Sequence, residues 1–232
     1  MKQLLLLIVI HTCFGAQAQK VLIGYNFSSD YNYRTLKNSD GSSSANVIIK
    51  TRNDQEIARF GYTTGLNVCF GISKQLALET GIQYSNKGYR TSNKDLVYFP
   101  PDPTAPVKAK FVYAYQYLGI PIKATFFFGK GNLRFVTGIG FTTNLLLNIK
   151  NTATYEYANG STEKKTQSST SGFNKVDLSP MVSAGFQYKL NNKIHISAEP
   201  TFRYGLIKTK DVSITEKLWN VGLNMGLYYV LK

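Results

Sequence analysis

The sequence between Thr64 and Ser85 alternates large apolar residues with small or polar ones through two consecutive runs. The large residues at every second position are Leu66, Val68, Phe70, Ile72, Leu76, Leu78, Ile82 and Tyr84. Most positions between them hold Gly, Asn, Cys, Ala, Gln or Ser, and Glu79 carries the one charge. Successive side chains of a β-strand point to opposite faces. The pattern therefore predicts two strands, each with one apolar and one small or polar face, joined by a turn at residues 73–75.

The same alternation recurs in eight segments of the chain. They cover approximately residues 20–28, 60–71, 76–85, 111–126, 133–148, 176–188, 194–206 and 218–231. Long polar connections at 29–56, 86–110, 149–175 and 207–217 alternate with the short turns SKQ, GKGN and NNK. Helical periodicity is hard to find. These features predict an all-β fold, an eight-stranded antiparallel up-and-down barrel with both termini on the short-turn side.

The composition of the small or polar face of each strand indicates which face points inward. In a soluble barrel that face would meet water, where Lys and Glu are common. It holds instead residues such as Gly65, Asn67, Cys69, Gly138 and Gly140. Small side chains suit a lumen of eight strands, which is only just wide enough for side chains. We therefore expect a transmembrane β-barrel in the cell outer membrane, with its apolar face in lipid, short periplasmic turns and long extracellular loops.

Aromatic and proline residues refine this expectation. Aromatic residues that we expect in a belt near the short turns are Phe70, Phe126–Phe128, Phe135, Phe186, Tyr188 and Tyr229. Those expected in a belt near the long loops are Phe27, Tyr62, Tyr84, Tyr204 and Trp219. Such belts mark the two membrane interfaces.

Pro121, Pro180 and Pro200 fall inside strands, where each removes a ladder donor and predicts a bulge or kink.

The first residues predict a secretory signal. Lys2 precedes an apolar run from Leu4 to Ile10, and Ala16 and Ala18 form an A-x-A-like cleavage site. We expect residues 1–18 to be a signal peptide and residues 19–232 to form the barrel domain. The apolar run is too short to span a membrane. Cys13 leaves a lipoprotein as an alternative, but the preceding residues lack a small-apolar lipobox.

The residues that could carry chemistry are few. Cleavage after Ala18 leaves one cysteine, Cys69, and one histidine, too few for a disulfide or a Cys/His zinc site. His195, Ser197 and Glu199 share the lumen face and contain the parts of an acyl-transfer site. However, neighbours on one face lie about 6.6 Å apart along a strand, which exceeds the reach of a nucleophile–base contact. We expect no catalytic, cofactor-binding or metal site, and a hydrolase in the lumen stays the less favoured alternative.

Six charged residues fall on the predicted lumen face: Glu79, Lys123, Arg134, Asp177, Glu199 and Arg203. Buried charges are costly unless paired, so we expect these to pair across the lumen. Glu79, Lys123 and Arg134 fall on three strands that are adjacent in the predicted barrel, and we predict that they form one cluster. A near-neutral, paired interior favours a closed barrel over a small-solute channel.

Several stretches resemble the PorT-like outer membrane β-barrel domain family of Bacteroidetes. They are TTGLNV, LALETGIQYSNKG, YLGIPIKATFFFGKGNLRFVTGIG, DLSPMVSAGFQYKL and NVGLNMGLYYVLK. The resemblance covers nearly the whole chain after the signal, although Gly119 stands where such proteins often carry Glu. It implies an outer-membrane barrel, and the family name suggests an accessory role in an envelope secretion or gliding machine.

We expect a non-enzymatic barrel whose four long loops serve structural or binding roles. The net charge is +14, and we expect the basic rims to face outer-membrane lipid and lipopolysaccharide. Envelope proteins that bind the loops are further expected partners. Nucleic acid is a poor alternative, because the sequence shows no basic helix and no RNA-binding aromatic motif.

Overall fold

The computed structural model describes residues 20–231, so the predicted signal peptide at residues 1–18 lies outside the described residues. The strands are β1 (Val21–Asn38), β2 (Glu56–Gly71), β3 (Leu76–Thr91), β4 (Lys94–Asp95), β5 (Lys108–Phe128), β6 (Leu133–Glu156), β7 (Thr162–Ser168), β8 (Val176–Lys189), β9 (Ile194–Tyr204) and β10 (Ile214–Val230). One helix, α1 (Ser43–Gln55), joins β1 to β2. Within residues 20–231, no helix is long and apolar enough to cross a membrane.

Eight antiparallel strands close into a ring in the order β1, β2, β3, β5, β6, β8, β9, β10. Each strand pairs with its neighbour, and the β10–β1 pair closes the ring. The short strands β4 and β7 pair only with β5 and β6 respectively. Val21 lies beside Phe70 and Leu22 beside Val230, so both ends of the described chain lie at the short-turn side. The eight-stranded up-and-down barrel is therefore confirmed.

The strand ends differ in how well the sequence predicted them. At the short turns every predicted boundary lies within two residues of the observed one. At the long connections six of the eight strands extend further than predicted, while β8 begins at the predicted residue and β9 ends two residues earlier. The largest extension is that of β1, which continues to Asn38 where we predicted a loop over 29–56. That prediction was also wrong in missing α1, which begins after Ser42, whose hydroxyl accepts a hydrogen bond from the Ala45 amide.

The two faces of the wall have the predicted composition. Asn26, Asn32 and Asn220 are completely buried in the lumen. Outward residues are large and exposed, as Phe60 (74 %) and Leu66 (63 %) show. Several glycines stand where a neighbouring strand approaches closely: a Cβ on Gly81, for example, would collide with the Leu66 carbonyl oxygen.

The aromatic residues of the wall contact one another across neighbouring strands. Near the long connections, Tyr62 lies 6.3 Å from Phe27 and 5.8 Å from Tyr84 between ring centroids. Near the short turns, Phe135 packs against Phe128 and Phe186. Phe127 was wrongly placed in the outer belt: it packs inside, against the cluster of Leu22, Cys69, Ala77 and Tyr228.

The prolines do not produce the predicted bulges. Pro121 and Pro180 pair in register with Thr142 and Phe141 of β6. Pro200 pairs in register with Leu223 of β10. Pairs are missing beside Pro121 on its β3 side and beside Pro200 on its β8 side, but the register is unchanged across both gaps. The bulges lie elsewhere, at Gln116/Tyr117 and between Ala58 and Tyr62, so the missing donors leave gaps in the ladder instead.

Candidate functional site

The short-turn half of the lumen contains an ion cluster of Glu79, Lys123 and Glu199, here called the Lys123 cluster. Lys123 Nζ lies 3.1 Å from Glu79 Oε2 and 3.4 Å from Glu199 Oε2. Asn67 donates a 2.7 Å hydrogen bond to Glu79, and Ser183 donates a 2.8 Å bond to Glu199. The two carboxylates thus share one ammonium group, and each also accepts a hydrogen bond from a neutral donor, which lowers the cost of burying them.

The predicted cluster of Glu79, Lys123 and Arg134 was right for one contact and wrong for the other. Lys123 is level with Gly140 in the β5–β6 register, six residues along β6 from Arg134. That offset corresponds to about 20 Å at ~3.3 Å per residue, so the two cations cannot share a carboxylate. Arg134 instead donates a 2.6 Å hydrogen bond to Gln187 and stacks on Phe127. The third member of the cluster, Glu199, reaches Lys123 from the opposite wall.

The middle of the lumen is crossed by a second set of polar contacts. Asp30 accepts 2.6 Å hydrogen bonds from Ser28 and Thr63, and Arg203 Nη1 lies 3.5 Å from its carboxylate. Asp177 accepts hydrogen bonds from Ser179 and Asn144. Both predicted lumen charges are buried, but only Arg203 pairs with an opposite charge, that of Asp30. Asp177 is bound by neutral donors and not by the cation that we expected.

A third set closes the long-connection end, and we call it the mouth cluster. Its members are Arg34, Arg52, Glu56, Tyr89, Tyr115 and Glu216. Glu216 accepts hydrogen bonds from Arg52 (2.6 Å), Tyr89 (3.0 Å) and Tyr115 (2.9 Å). Arg52 also binds Glu56, at 2.7 Å.

The mouth cluster fixes helix α1 to the barrel. Arg34 of β1 binds Glu56 at 2.8 Å and donates to Asn53 and to the Arg52 carbonyl oxygen at the helix end. Burial lowers the pKa of Arg52, but its hydrogen bonds to Glu56 and Glu216 raise that pKa overall. Arg52 therefore stays charged and holds the helix beside the lumen entrance.

Above the mouth cluster lies a cavity of ≈ 580 Å³, here called the loop cup. Four aromatic side chains form much of its wall: Tyr89 lies 4.9 Å from Tyr113, and Phe173 lies 6.0 Å from Tyr115, between ring centroids. Lys210 Nζ stands 3.8 Å from the centroid of the Phe173 ring. The cup thus combines flat aromatic faces with a cation and with the polar groups of the mouth cluster.

The candidate acyl-transfer residues are not assembled. His195 Nε2 and Ser197 Oγ have no hydrogen-bond partner among the described residues. Glu199 is bound to Lys123 and Ser183 and does not orient the histidine. Across residues 20–231, no group of three His, Cys, Asp or Glu side chains could hold a metal ion.

Sequence reasoning missed most of the mouth cluster. Arg34, Arg52 and Glu56 were all assigned to the predicted loop over residues 29–56. The pattern DYNYRTLK alternates polar with aromatic residues, not with aliphatic ones, so a search for apolar alternation ends before it. A period-two search that accepts charged residues on one face could have found Asp30, Asn32 and Arg34.

A closed ring of eight strands with polar residues inside and apolar residues outside defines a transmembrane β-barrel. The chain belongs to the outer membrane protein β-barrel domain family, whose sequence profile matches residues 16–211. It is accordingly an outer-membrane protein. No curated protein matches the chain in sequence.

Solved structures of outer-membrane barrels resemble the fold at low identity. OprG from Pseudomonas aeruginosa is 13% identical with a TM-score of 0.49, and the match covers 92% of this chain and 97% of OprG. Neisserial surface protein A is 11% identical with a TM-score of 0.45, covering 91% and 99%. AlkL in lipid bilayers is 12% identical with a TM-score of 0.44, covering 94% and 92%. Likenesses this distant add nothing about function.

Proposed function

We propose that this protein is a non-enzymatic barrel with a closed lumen that binds a ligand at its long-connection end. The observation that carries the proposal is the mouth cluster, which fills the lumen entrance directly beneath the open loop cup. A molecule that enters the cup meets Tyr89, Tyr115 and the Arg52–Glu216 pair at its floor. Below them, the Asp30–Arg203 contacts and the Lys123 cluster occupy the lumen.

The chemistry of the loop cup suits a saccharide. A sugar ring has apolar C–H faces that pack on aromatic rings, and hydroxyl edges that bond to charged and amide groups. The cup offers Tyr113 and Phe173 for the faces, and Lys210 and Asn151 for the edges or for a phosphate substituent. Extracellular placement of the long connections would bring this cup to the saccharide portion of lipopolysaccharide.

The test is saccharide binding by the full chain refolded into lipid nanodiscs. Oligosaccharide released from lipopolysaccharide is titrated while saturation-transfer NMR reports contact with aromatic protons. Tyr113→Ser and Lys210→Gln should each weaken binding about tenfold, the effect of losing one contact of roughly 1.4 kcal/mol. Tyr157→Ser, a change outside the cup, is the matched control. If all three variants bind the oligosaccharide as tightly as the wild type does, the loop cup is not the binding site.

The closed lumen is tested separately. The same protein in a planar bilayer should give no steady conductance, because charged side chains cross the lumen at three levels. A steady ohmic conductance in the wild type would favour a small-solute channel and would contradict this part of the proposal.

A second candidate, an accessory role in an envelope machine, is suggested by the resemblance to PorT-like barrels. The observation that favours it is the connection between β4 and β5, where Val97 is 92 % exposed and Phe99 is fully exposed. Exposed apolar residues at a loop tip are typical of protein contacts. A photo-crosslinker at position 99 should capture one defined outer-membrane protein, whereas the same group at exposed Lys164 should not. Equal capture patterns would argue against this role.

A further inference from the structure

A second cavity, of ≈ 520 Å³, opens at the opposite end of the barrel, among the short turns. We call it the turn cup. Its polar wall consists of Arg134, Gln187, Lys189 and His195, from β6, β8 and β9. Its apolar wall consists of Leu22, Cys69, Ala77, Phe127 and Tyr228, from β1, β2, β3, β5 and β10. The Lys123 cluster forms the floor, since Glu79 and Glu199 line the cavity.

The turn cup is strongly cationic. Its cationic lining residues are Lys20, Lys74, Lys130, Arg134 and Lys189. Among residues 20–231, the acidic residues that line it are Glu79 and Glu199, and both are already bound to Lys123. The cup therefore presents an excess of positive charge to whatever enters it.

Three buried polar atoms that line the cup have no hydrogen-bond partner within residues 20–231: Thr125 Oγ1, Arg134 Nε and His195 Nε2. His195 is 3 % exposed, and its Nε2 makes no hydrogen bond to a described residue. Arg134 donates through Nη2 to Gln187, but its Nε is likewise buried and unpartnered. A buried polar group without a partner costs free energy, so such groups mark a place where a ligand supplies the missing bond.

The rest of the wall, formed by β1, β2, β3, β5 and β10, offers apolar surface to the same ligand. Leu22, Cys69, Ala77 and Tyr228 are each less than a tenth exposed, and the Phe127 ring packs against them. The cavity thus combines an apolar surface with cations, which lie on β6 and β8 and at the turn rim, where Lys20, Lys74 and Lys130 stand. Its volume is within the range of small-molecule sites. A ligand that satisfies both features has an anionic head and an apolar body.

We propose that the turn cup binds a single-chain anionic amphiphile. The acidic head lies against Arg134, His195 and Lys189, and the chain lies against Leu22, Cys69 and Phe127. The neighbouring membrane supplies such molecules in two forms, a free fatty acid with a carboxylate head and a lysophospholipid with a phosphate head. This site is at the opposite end from the loop cup and does not depend on the saccharide proposal.

The test measures binding of fluorine-labelled laurate to the full chain in zwitterionic nanodiscs, with empty nanodiscs as the baseline for partition into lipid. ¹⁹F NMR should show a bound signal only when the protein is present. Unlabelled laurate and lauroyl-lysophosphatidate are then added as competitors. Displacement by laurate alone identifies a carboxylate site, and displacement by both identifies a general anionic site. Equal displacement by the neutral dodecanol would overturn the anionic part of the proposal.

Variants test whether the bound ¹⁹F signal comes from laurate in the turn cup. Arg134→Gln and Lys189→Gln should each weaken laurate binding at least about tenfold, as expected for the loss of a charge-assisted contact. Ala77→Phe should block the cup without changing its charge. Lys164→Gln, the same charge change on the exposed β7 hairpin, should have no effect. Heat-modifiable gel mobility confirms that each variant is folded. Absence of a bound signal in the wild type, or full binding by folded Arg134→Gln and Ala77→Phe, would refute the site.

Discussion

The two ends of the lumen are formed by the same eight strands, but they differ in how completely their charged and polar groups are paired. At the long-connection end, Glu216 is surrounded by Arg52, Tyr89 and Tyr115, and a helix lies beside the entrance. At the short-turn end, Arg134 and His195 each keep a nitrogen atom that has no hydrogen-bond partner in the described part of the chain. Long connections can carry residues back to the strand ends and pair them, whereas turns of a few residues cannot. The short-turn end therefore has unpaired groups that are available to a ligand.

The largest expected effect concerns the Lys123 cluster. Lys123→Met leaves two carboxylates buried without their cation, which should cost about 3–5 kcal/mol. Glu79→Gln should cost less, because Lys123 keeps Glu199 at 3.4 Å. The measurement is urea unfolding of each variant from lipid vesicles, with Lys164→Met as the exposed control.

The double variant sharpens this result. Glu79→Gln with Lys123→Met should lose less stability than the sum of the single losses, because the two residues share one interaction. Additive losses would mean that Glu79 and Lys123 do not touch and that the β3–β5 register is different.

The next largest effect concerns the outer face. Leu223 lies midway between the Trp219 and Tyr229 levels of β10, and it points outward. Leu223→Arg should cost about 2–4 kcal/mol, the penalty for a cation near the bilayer midplane. Tyr229→Arg, on the same face near the short turns, should cost about 0–1 kcal/mol. Equal costs in vesicle unfolding would show that β10 does not span the bilayer as described.

Gly222, the neighbour of Leu223 on β10, faces the lumen and not the lipid. A Cβ at this position would collide with Asp30 Oδ1 and lie 2.7 Å from Ser28 Oγ. Gly222→Leu should therefore destabilise the barrel by about 1–3 kcal/mol or more through overpacking. Unchanged urea unfolding would mean that the lumen has room that the structure does not show.

The smallest effect concerns the mouth cluster. Arg52→Gln removes the bonds to Glu56 and Glu216 and should cost about 1–3 kcal/mol. Its specific signature is faster hydrogen exchange in residues 43–55, because the helix loses its attachment to the barrel. Lys50→Gln, on the same helix but exposed, is the control. Unchanged exchange in Arg52→Gln would mean that other contacts hold α1.

The sequence predicted the wall well because lipid imposes a simple rule. Every strand in hydrocarbon needs an apolar outer face, so residues such as Leu66, Ile139 and Leu223 repeat with period two. Beyond the apolar band that rule ends. The extension of β1 alternates polar residues with Tyr31 and Tyr33, and that of β6 is mostly polar, so a search for aliphatic alternation does not detect them. The hairpin of β6 and β7 did carry a signal, since Asn159–Gly160 is a favoured turn sequence and Gly160 has φ 81°.

Contacts across the lumen were harder to predict than contacts along the wall. Strand order placed Glu79 beside Lys123, which is correct. It could not show that Glu199 faces them from β9, because that depends on the tilt and stagger of the whole barrel. The same stagger separates Arg134 from the cluster. The alternation in the sequence shows which face of the wall each residue occupies, but not its position along the barrel axis.

The most direct test of the contrast between the two ends is the side of the membrane that each one faces. Cysteine is introduced at Ser168 on the long-connection side or at Asn192 in a short turn, in a Cys69→Ser background, and whole cells are treated with an impermeant thiol reagent. The account predicts labelling at position 168 on intact cells, and labelling at position 192 only after permeabilisation. Labelling of position 192 but not of position 168 on intact cells would contradict it, because the loop cup would then face the periplasm.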